Sequence, residues 1–443
     1  MFKLLLLSLL VVSVAIAAER NGGKRKNRQP PGQFAFGDPR GGQPSEYRFG
    51  QVELSILKKI YESEPETSFT FSPFSIRTLL AMVLEGTNGQ TRNDLAAALG
   101  ETRGLRRVVR DTSSFSVGNA FYLSNTLNIN EKFKDKLVSE YGAEFQYADF
   151  VRPRSAAYNV NEWVRRVTDK GIKELISPDS LSPETVFMMV NAIFLKARWD
   201  KTFDSEETVP YGIFHENHQG SLKPKMVDMM KNYEYFRYGI IDSLNARVVE
   251  LPFQDPKRYS MYIVLPHDPK GLSNLINSLT AESFNEIIKS MNHPVQMTLY
   301  LPKFSAETTQ QLNDILPPNV AQVFGPNADI SGITADSKVQ LSKVLHKANL
   351  KVDEEGATGT AATAVHAILL SNAPQIEFNV SHPFMYFIAE KVQDNRYYSQ
   401  PSSEVIFMGY VSKLEDSREL PSSWGPLPDK PVFQRIQRQR PRN

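Results

Sequence analysis

Residues 356–376 read Gly-Ala-Thr-Gly-Thr-Ala-Ala-Thr-Ala-Val-His-Ala-Ile-Leu-Leu-Ser-Asn-Ala-Pro-Gln-Ile, without one Lys, Arg, Asp or Glu and with no proline before Pro374. A solvent-exposed loop normally carries charge and turn residues, and a strand normally carries large apolar residues on its buried side. This stretch does neither. Taken as a strand, it puts Ala357, Gly359, Ala361, Thr363, Val365 and Ala367 on one face, all small or β-branched. The other face carries Thr358, Thr360, Ala362, Ala364, His366 and Ile368. The first face could slot between existing strands over a packed core, and the lack of proline leaves every backbone N–H free to join a ladder. Gly356 and Gly359 supply a hinge. A simple Ala/Thr linker would explain the flexibility but neither the small-residue faces nor the preceding Glu354-Glu355. The pattern is that of a loop able to become a strand.

Such a loop needs a sheet to enter. With 443 residues and 41% hydrophobic content the chain can bury a large core, as one big domain or two ordinary ones. The formal charge of +2 makes no case for nucleic acid or an acidic substrate. There is no cysteine, which removes disulfides and thiolate zinc sites and leaves stability to the core. Lys3 precedes an apolar run from Leu4 to Ile16, and Ala15-Ile16-Ala17 has the small-x-small pattern of a signal-peptidase site. The run is short of the roughly 20 residues that span a bilayer, and no later segment is long and apolar enough. Secretion is therefore expected, with residues 1–17 as the signal peptide.

Residues 18–46 are rich in Gly, Pro, Gln and Arg and include Lys24-Arg25-Lys26, so they read as a flexible basic extension. Residues 416–443 read as a second flexible basic tail, with Arg435, Arg438, Arg440 and Arg442. Either is a candidate for docking on a glycosaminoglycan or another anionic surface, against the plainer reading of solvated ends. Between them, 47–415 has no Pro/Gly-rich linker and reads as one domain. Helical periodicity covers 47–62, 75–85 and 91–99, and strand-like runs cover 187–195, 261–265, 296–301 and 404–411. Helices early and strands late suggest α+β with a large mixed sheet.

Enzyme signatures are missing: the chain has no Gly-x-Ser-x-Gly elbow, P-loop, His-Glu-x-x-His or Rossmann glycine pattern. No catalytic residue, metal or cofactor is expected. His215 and His218, three apart, could share one helical face, but Gly212, Asn217 and Gly220 favour a polar turn over a metal site.

Ordered motifs along the body resemble the serpin family over nearly its whole length. Phe71-Ser-Pro-Phe-Ser-Ile76 resembles the start of its second helix, and Asn191-Ala-Ile-Phe-Leu-Lys-Ala-Arg-Trp199 its central strand. Leu301-Pro-Lys-Phe304, Ala328-Asp-Ile-Ser-Gly-Ile333, Leu341-Ser-Lys-Val-Leu-His-Lys-Ala348, His382-Pro-Phe384 and Phe407-Met-Gly409 follow in family order. The resemblance implies a metastable α+β serpin fold of three β-sheets and about eight to nine helices, with an exposed reactive-centre loop. It implies a monomeric inhibitor whose partner is a serine protease. The protease attacks the loop, forms an acyl-enzyme, and is carried away covalently as the cut loop inserts into the central sheet. About sixteen inserted residues at ~3.3 Å each would move it roughly 50 Å.

By the family's usual hinge-to-bond length from Glu354, the scissile bond falls at Leu370-Ser371, and Leu370 fills the primary pocket. No Lys or Arg is near, so chymotrypsin-like or elastase-like targets are expected. The resemblance makes Glu354, Glu355, Gly356, Ala357, Thr358, Gly359, Thr360, Ala361 and Ala362 the insertion hinge. It matches Ser72, Ser75, Asn191 and His346 to a polar cluster where the strands part, Trp199 to the packing residue at the entrance, and Glu354 and Lys303 to an entrance salt bridge. The hinge departs from the family at Ala357-Thr-Gly359, where inhibitory members carry a Thr-Glu-Ala-like run, so a non-inhibitory carrier or storage role is the alternative. The stretch between Leu99 and Phe115 is too short for the usual fourth helix, although it holds Arg103, Arg106, Arg107 and Arg110. Asn379-Val-Ser381 is the one N-glycosylation sequon. Secreted serpins often control cascades such as clotting or innate immunity.

Overall fold

A computed structural model describes residues 49–100, 102, 105, 115–254, 259–291, 293–335, 339–341, 343–356, 376–390 and 404–422. All belong to one compact unit, Ser45–Asn443. The signal peptide, the basic extension, the hinge from Ala357 to Ala362 and the Leu370-Ser371 bond lie outside the described residues.

Three helices open the described part of the chain: α1 (Gln51–Ser63), then after strand β1 (Phe69–Phe71), α2 (Pro73–Glu85) and α3 (Gly89–Leu99). The start of α2 follows from its first residues. Pro73 is preset for the first helical turn, and the Ser72 hydroxyl caps the end by accepting from the Ser75 N–H at 3.1 Å. Next come β2 (Phe115–Ser124), α4 (Glu131–Tyr141), β3 (Glu144–Ala148), α5 (Pro153–Val167) and β4 (Phe187–Leu195). Strands β5 (Val209–His218), β6 (Ser221–Ile241), β7 (Ala246–Pro252) and β8 (Tyr259–Pro266) precede α6 (Leu272–Ser278) and α7 (Ser283–Ser290). The described chain closes with β9 (Val295–Pro302), β10 (Phe304–Gln311), the one-turn helices α8 (Leu312–Ile315) and α9 (Pro318–Ala321), β11 (Lys343–Val352), β12 (Ile376–Asn379), β13 (Phe384–Glu390) and β14 (Val405–Val411).

One sheet has five strands in the order β10-β11-β4-β2-β3. The other runs β1-β14-β13-β8-β7-β6-β9-β12, with β5 paired to β6. The family resemblance implies three sheets. The long strand β6 threads two of them, pairing with β5 and β9 over its first part and with β7 from Arg237 to Ile241, so they form one hydrogen-bonded path.

Strand β4 is buried at all nine positions, as its largely apolar run requires of a strand covered on both faces. Its residues Met188, Val190 and Ala192 pack with Trp163 and Val164 of α5. Phe187, Met189 and Ile193 face the main core on the other side. Helix α5 comes close because β2 has Gly118 beneath it: a Cβ there would lie 2.9 Å from the Trp163 ring. Only Asn191 interrupts the apolar run of β4, and it points to the site.

Candidate functional site

Strands β4 and β11 are the two parallel neighbours at the centre of the five-stranded sheet, in register from Lys343↔Met188 to Asn349↔Phe194. On this seam His346 lies beside Asn191, and both are fully buried. Nε2 of His346 accepts the Ser72 N–H at 3.1 Å, so Nδ1 carries the proton and donates to Asn191 Oδ1 at 2.9 Å. Asn191 in turn donates through Nδ2 to Asn119 Oδ1 on β2 at 2.9 Å. The chain of bonds thus links α2, β11, β4 and β2. The structure brings together Ser72, Asn191 and His346, and adds Asn119. Ser75 joins only through its backbone, and its buried hydroxyl has no hydrogen-bond partner among the described residues. Burial pushes the His346 imidazole down to about 3, so the ring is neutral at physiological pH.

The top of the seam is closed by a tight turn. Asp353-Glu-Glu-Gly356 has the Asp-first, Gly-last composition of a type I-like turn, and Asp353 Oδ1 accepts the N–H groups of Glu355 and Gly356 at 3.1 and 3.3 Å. The turn folds back on the chain beyond β4. Gly356 forms an antiparallel bridge with Arg198, the Trp199 N–H donates to Glu355 O at 2.9 Å, and the Phe203 N–H to Glu354 O at 2.9 Å. At Gly356 φ is +147°, and a Cβ would lie 2.3 Å from the Ala197 carbonyl oxygen. Any side chain here would force the turn away from Ala197 and Arg198.

Side chains fasten the same turn. Trp199 is buried, stacks on Phe253 with centroids 4.7 Å apart, and donates its Nε1–H to Asp353 O at 2.9 Å. Lys303, in the crossover from β9 to β10, lies 2.6 Å from Glu354 Oε1, which also accepts from Thr208 at 2.7 Å. Burial pushes the Glu354 carboxyl up, but the hydrogen bonds from Lys303, Thr208 and its own backbone outweigh it and hold it below the usual range. Arg198 pairs with Glu355 at 2.6 Å.

Sequence reasoning missed Asn119, Thr208, Asp353, Arg198 and Phe253. Of these only Asp353 had a local signal, the Asp-x-x-Gly turn. His215 and His218 stand on strand β5, where three-residue spacing points them to opposite faces, and not in the polar turn expected for them. Asn379 lies on β12, paired with β9; its Oδ1 is buried without a partner among the described residues, and Ser381 of the sequon is buried. Residues 416–422, assigned to the tail by composition, lie against β6, where Arg418 bridges to Met226.

A family model described as "Serpin (serine protease inhibitor)" matches residues 49–413. Iripin-2 of Ixodes ricinus is 32% identical over 387 residues, covering 83% of this chain and 92% of that protein. Leukocyte elastase inhibitor of Sus scrofa is 32% identical over 378 residues, covering 81% and 96%. Among solved structures, Serpin48 of Tenebrio molitor superposes with a TM-score of 0.70 at 28% identity, covering 82% of this chain and 96% of that one. The chain belongs to the serpin family.

Proposed function

We propose that this serpin is an extracellular suicide-substrate inhibitor of chymotrypsin-like or elastase-like serine proteases, trapping the acyl-enzyme by inserting its cut loop between β4 and β11. Membership of a family of protease inhibitors supports inhibition in place of catalysis. The observation that carries the mechanism is the closed seam: β4 and β11 pair directly, while the chain leaving β11 is turned back across Arg198 at Gly356. A strand continuing from Gly356 would run down the seam antiparallel to both neighbours. In this reading Ser72, Ser75, Asn191 and His346 control parting of the strands. Trp199, Lys303, Glu354 and Glu355 guard the entrance.

Target class rests on Leu370 and the absence of Lys and Arg around it. The name of one relative, leukocyte elastase inhibitor, is in keeping with this class. Export rests on the apolar run from Leu4 and the Ala15-Ile16-Ala17 site. The basic ends would dock on a glycosaminoglycan, which equal heparin-column retention with and without them would refute.

The test is a denaturing gel after mixing with chymotrypsin and with elastase. An SDS-stable adduct, with a released peptide beginning at Ser371, is the expected result. Clean cleavage with no adduct would favour the non-inhibitory alternative that Gly359 raises. Cleavage outside Ile368 to Ser371 would defeat the assigned bond.

A further inference from the structure

The chain that follows the assigned reactive bond re-enters the fold beside an aromatic sheet face. Strand β12 starts at Ile376, five residues beyond Ser371, and pairs with β9, which in turn pairs with β6. Every second residue of this part of the sheet points into the core, so Met297, Leu299 and Phe378 are fully buried. The alternate residues share the outer face. There Lys231 stands opposite Tyr300, Tyr233 opposite Thr298, and Tyr235 opposite Gln296.

Two neighbouring strands thus bring three tyrosines to one face. Tyr235 is 54% exposed, and Tyr233 and Tyr300 are half-buried. Single exposed aromatic residues are ordinary, but a contiguous set marks an interaction surface. Lys231 is already paired with Glu207 at 2.7 Å, so the face offers rings with hydroxyl tips, a chemistry enriched at protein interfaces. The Tyr235 ring is held in place from one side: the Lys201 ammonium lies 6.0 Å from its centroid and is itself fixed by Glu234 at 2.8 Å. A ring ordered before contact loses little entropy on binding.

The Tyr235–Gln296 row lies at the end of the sheet where β12 begins, because Ile376 pairs with the next residue, Met297. Five residues at ~3.3 Å each reach at most ~17 Å. A protease domain of about 220 residues has a radius of gyration of roughly 17 Å. The body of a protease seated on Leu370-Ser371 therefore comes within reach of this row.

We propose that the outer face of β6 and β9, centred on Tyr235, is a second contact surface for the target protease, which docks there while the loop enters its active site. The proposal rests on the assignment of the reactive bond to Leu370-Ser371. Tyr235 is then a specificity-determining residue that acts on encounter, not on insertion.

The test follows loss of the intact chain on denaturing gels after mixing with chymotrypsin and with elastase. It compares the parent with Tyr235→Ala, Tyr235→Phe and Tyr158→Ala, the last a 62% exposed tyrosine on α5. Tyr235→Ala should lower the second-order rate roughly five- to thirtyfold with at least one of the two proteases, the range for an aromatic anchor cut to alanine. Tyr235→Phe should keep most of the rate, and Tyr158→Ala should match the parent. The ratio of adduct to cut chain and the melting midpoint should not move, whereas a merely structural role would shift one of them. Loss of intact chain counts attack on the loop whether it ends in an adduct or in clean cleavage. Clean cleavage that Tyr235→Ala slows would defeat inhibition but keep the docking surface. Adducts formed by Tyr235→Ala at the parent rate with both proteases, or equal slowing by Tyr158→Ala, overturn the proposal and leave inhibition standing.

Discussion

Protonation of His346 should weaken the native sheet in mildly acidic solution. Nε2 of His346 already accepts the Ser72 N–H, so a second ring proton would face a donor in a buried site. Its pKa is about 3 in the folded protein, against 6.5 for a free histidine. The sign follows. Above pH 6.5 both states are neutral and the full contribution is present. As pH falls below 6.5 the unfolded chain binds a proton that the folded chain refuses, and stability drops by about 1.4 kcal/mol per unit until the folded ring titrates. Between pH 7.4 and pH 5 the loss from this ring is about 2 kcal/mol.

The total slope will not isolate that figure. His382 is pushed down to about 4 by burial and contributes another loss of about 2 kcal/mol by pH 5. Glu53 is raised by burial and works the other way, since its folded carboxyl takes up a proton more readily than the unfolded one. The clean quantity is the difference between the parent and His346→Gln, measured as the free energy of the first urea transition at pH 7.4, 6 and 5. Gln lowers stability at all three pH values but removes the titration, so the gap should narrow by about 2 kcal/mol towards pH 5. A constant gap would refute the buried neutral imidazole.

At the entrance, Glu354→Lys removes the 2.6 Å pair and sets a second cation beside Lys303, so the polymer fraction on native gels should rise; an unchanged monomer would count against the role of the pair. Gly356→Ala brings a Cβ to 2.3 Å from the Ala197 carbonyl at a φ of +147°, and the turn should lift from Arg198. The strain is about 1–3 kcal/mol, seen as a lower first-transition midpoint and faster exchange at Trp199; a parent-like midpoint would exclude it. Leu370→Arg should transfer adduct formation from chymotrypsin to trypsin, and adducts still confined to chymotrypsin would move the bond elsewhere.

Elements whose signal is local were legible in the sequence. The run 187–195 reads as a strand because eight of its nine residues are apolar and need cover on both faces, and β4 has those bounds. Helix α1 reads from residue 47 in the sequence but begins at Gln51, because the backbone at Gly50 is extended, at φ −68° and ψ 148°. The lone Asn191 inside β4 marked the polar cluster, whereas its partner Asn119 sits in β2 with nothing local to single it out. Arg418 was hidden for a different reason. Its neighbours look like solvated tail, and its bridge exists only because β9 leaves the edge of β6 at Pro302, more than a hundred residues earlier. Composition reports what a segment can bury by itself, not which edge another strand has vacated.

The direction of strand pairing explains why a closed seam can still be a loaded one. The β4–β11 contact is parallel, with slanted hydrogen bonds slightly less stable per residue than an antiparallel ladder. A strand descending from Gly356 would break that one ladder and make two antiparallel ones, with β11 on one side and β4 on the other. The small residues of the loop's first face ask little room of the core beneath. Opposing this is the entrance itself: the pair at Glu354, the turn around Asp353, the bridge at Gly356 and the stacked Trp199 all sit at the top of the seam. In the proposed inhibitory reading, the interactions that would delay insertion are thus concentrated where insertion would start, and the gain would be spread along the ladder below. A polar cluster at His346 suits that arrangement, because it ties α2, β11, β4 and β2 together by side-chain hydrogen bonds where, in the proposed reading, the sheet would part.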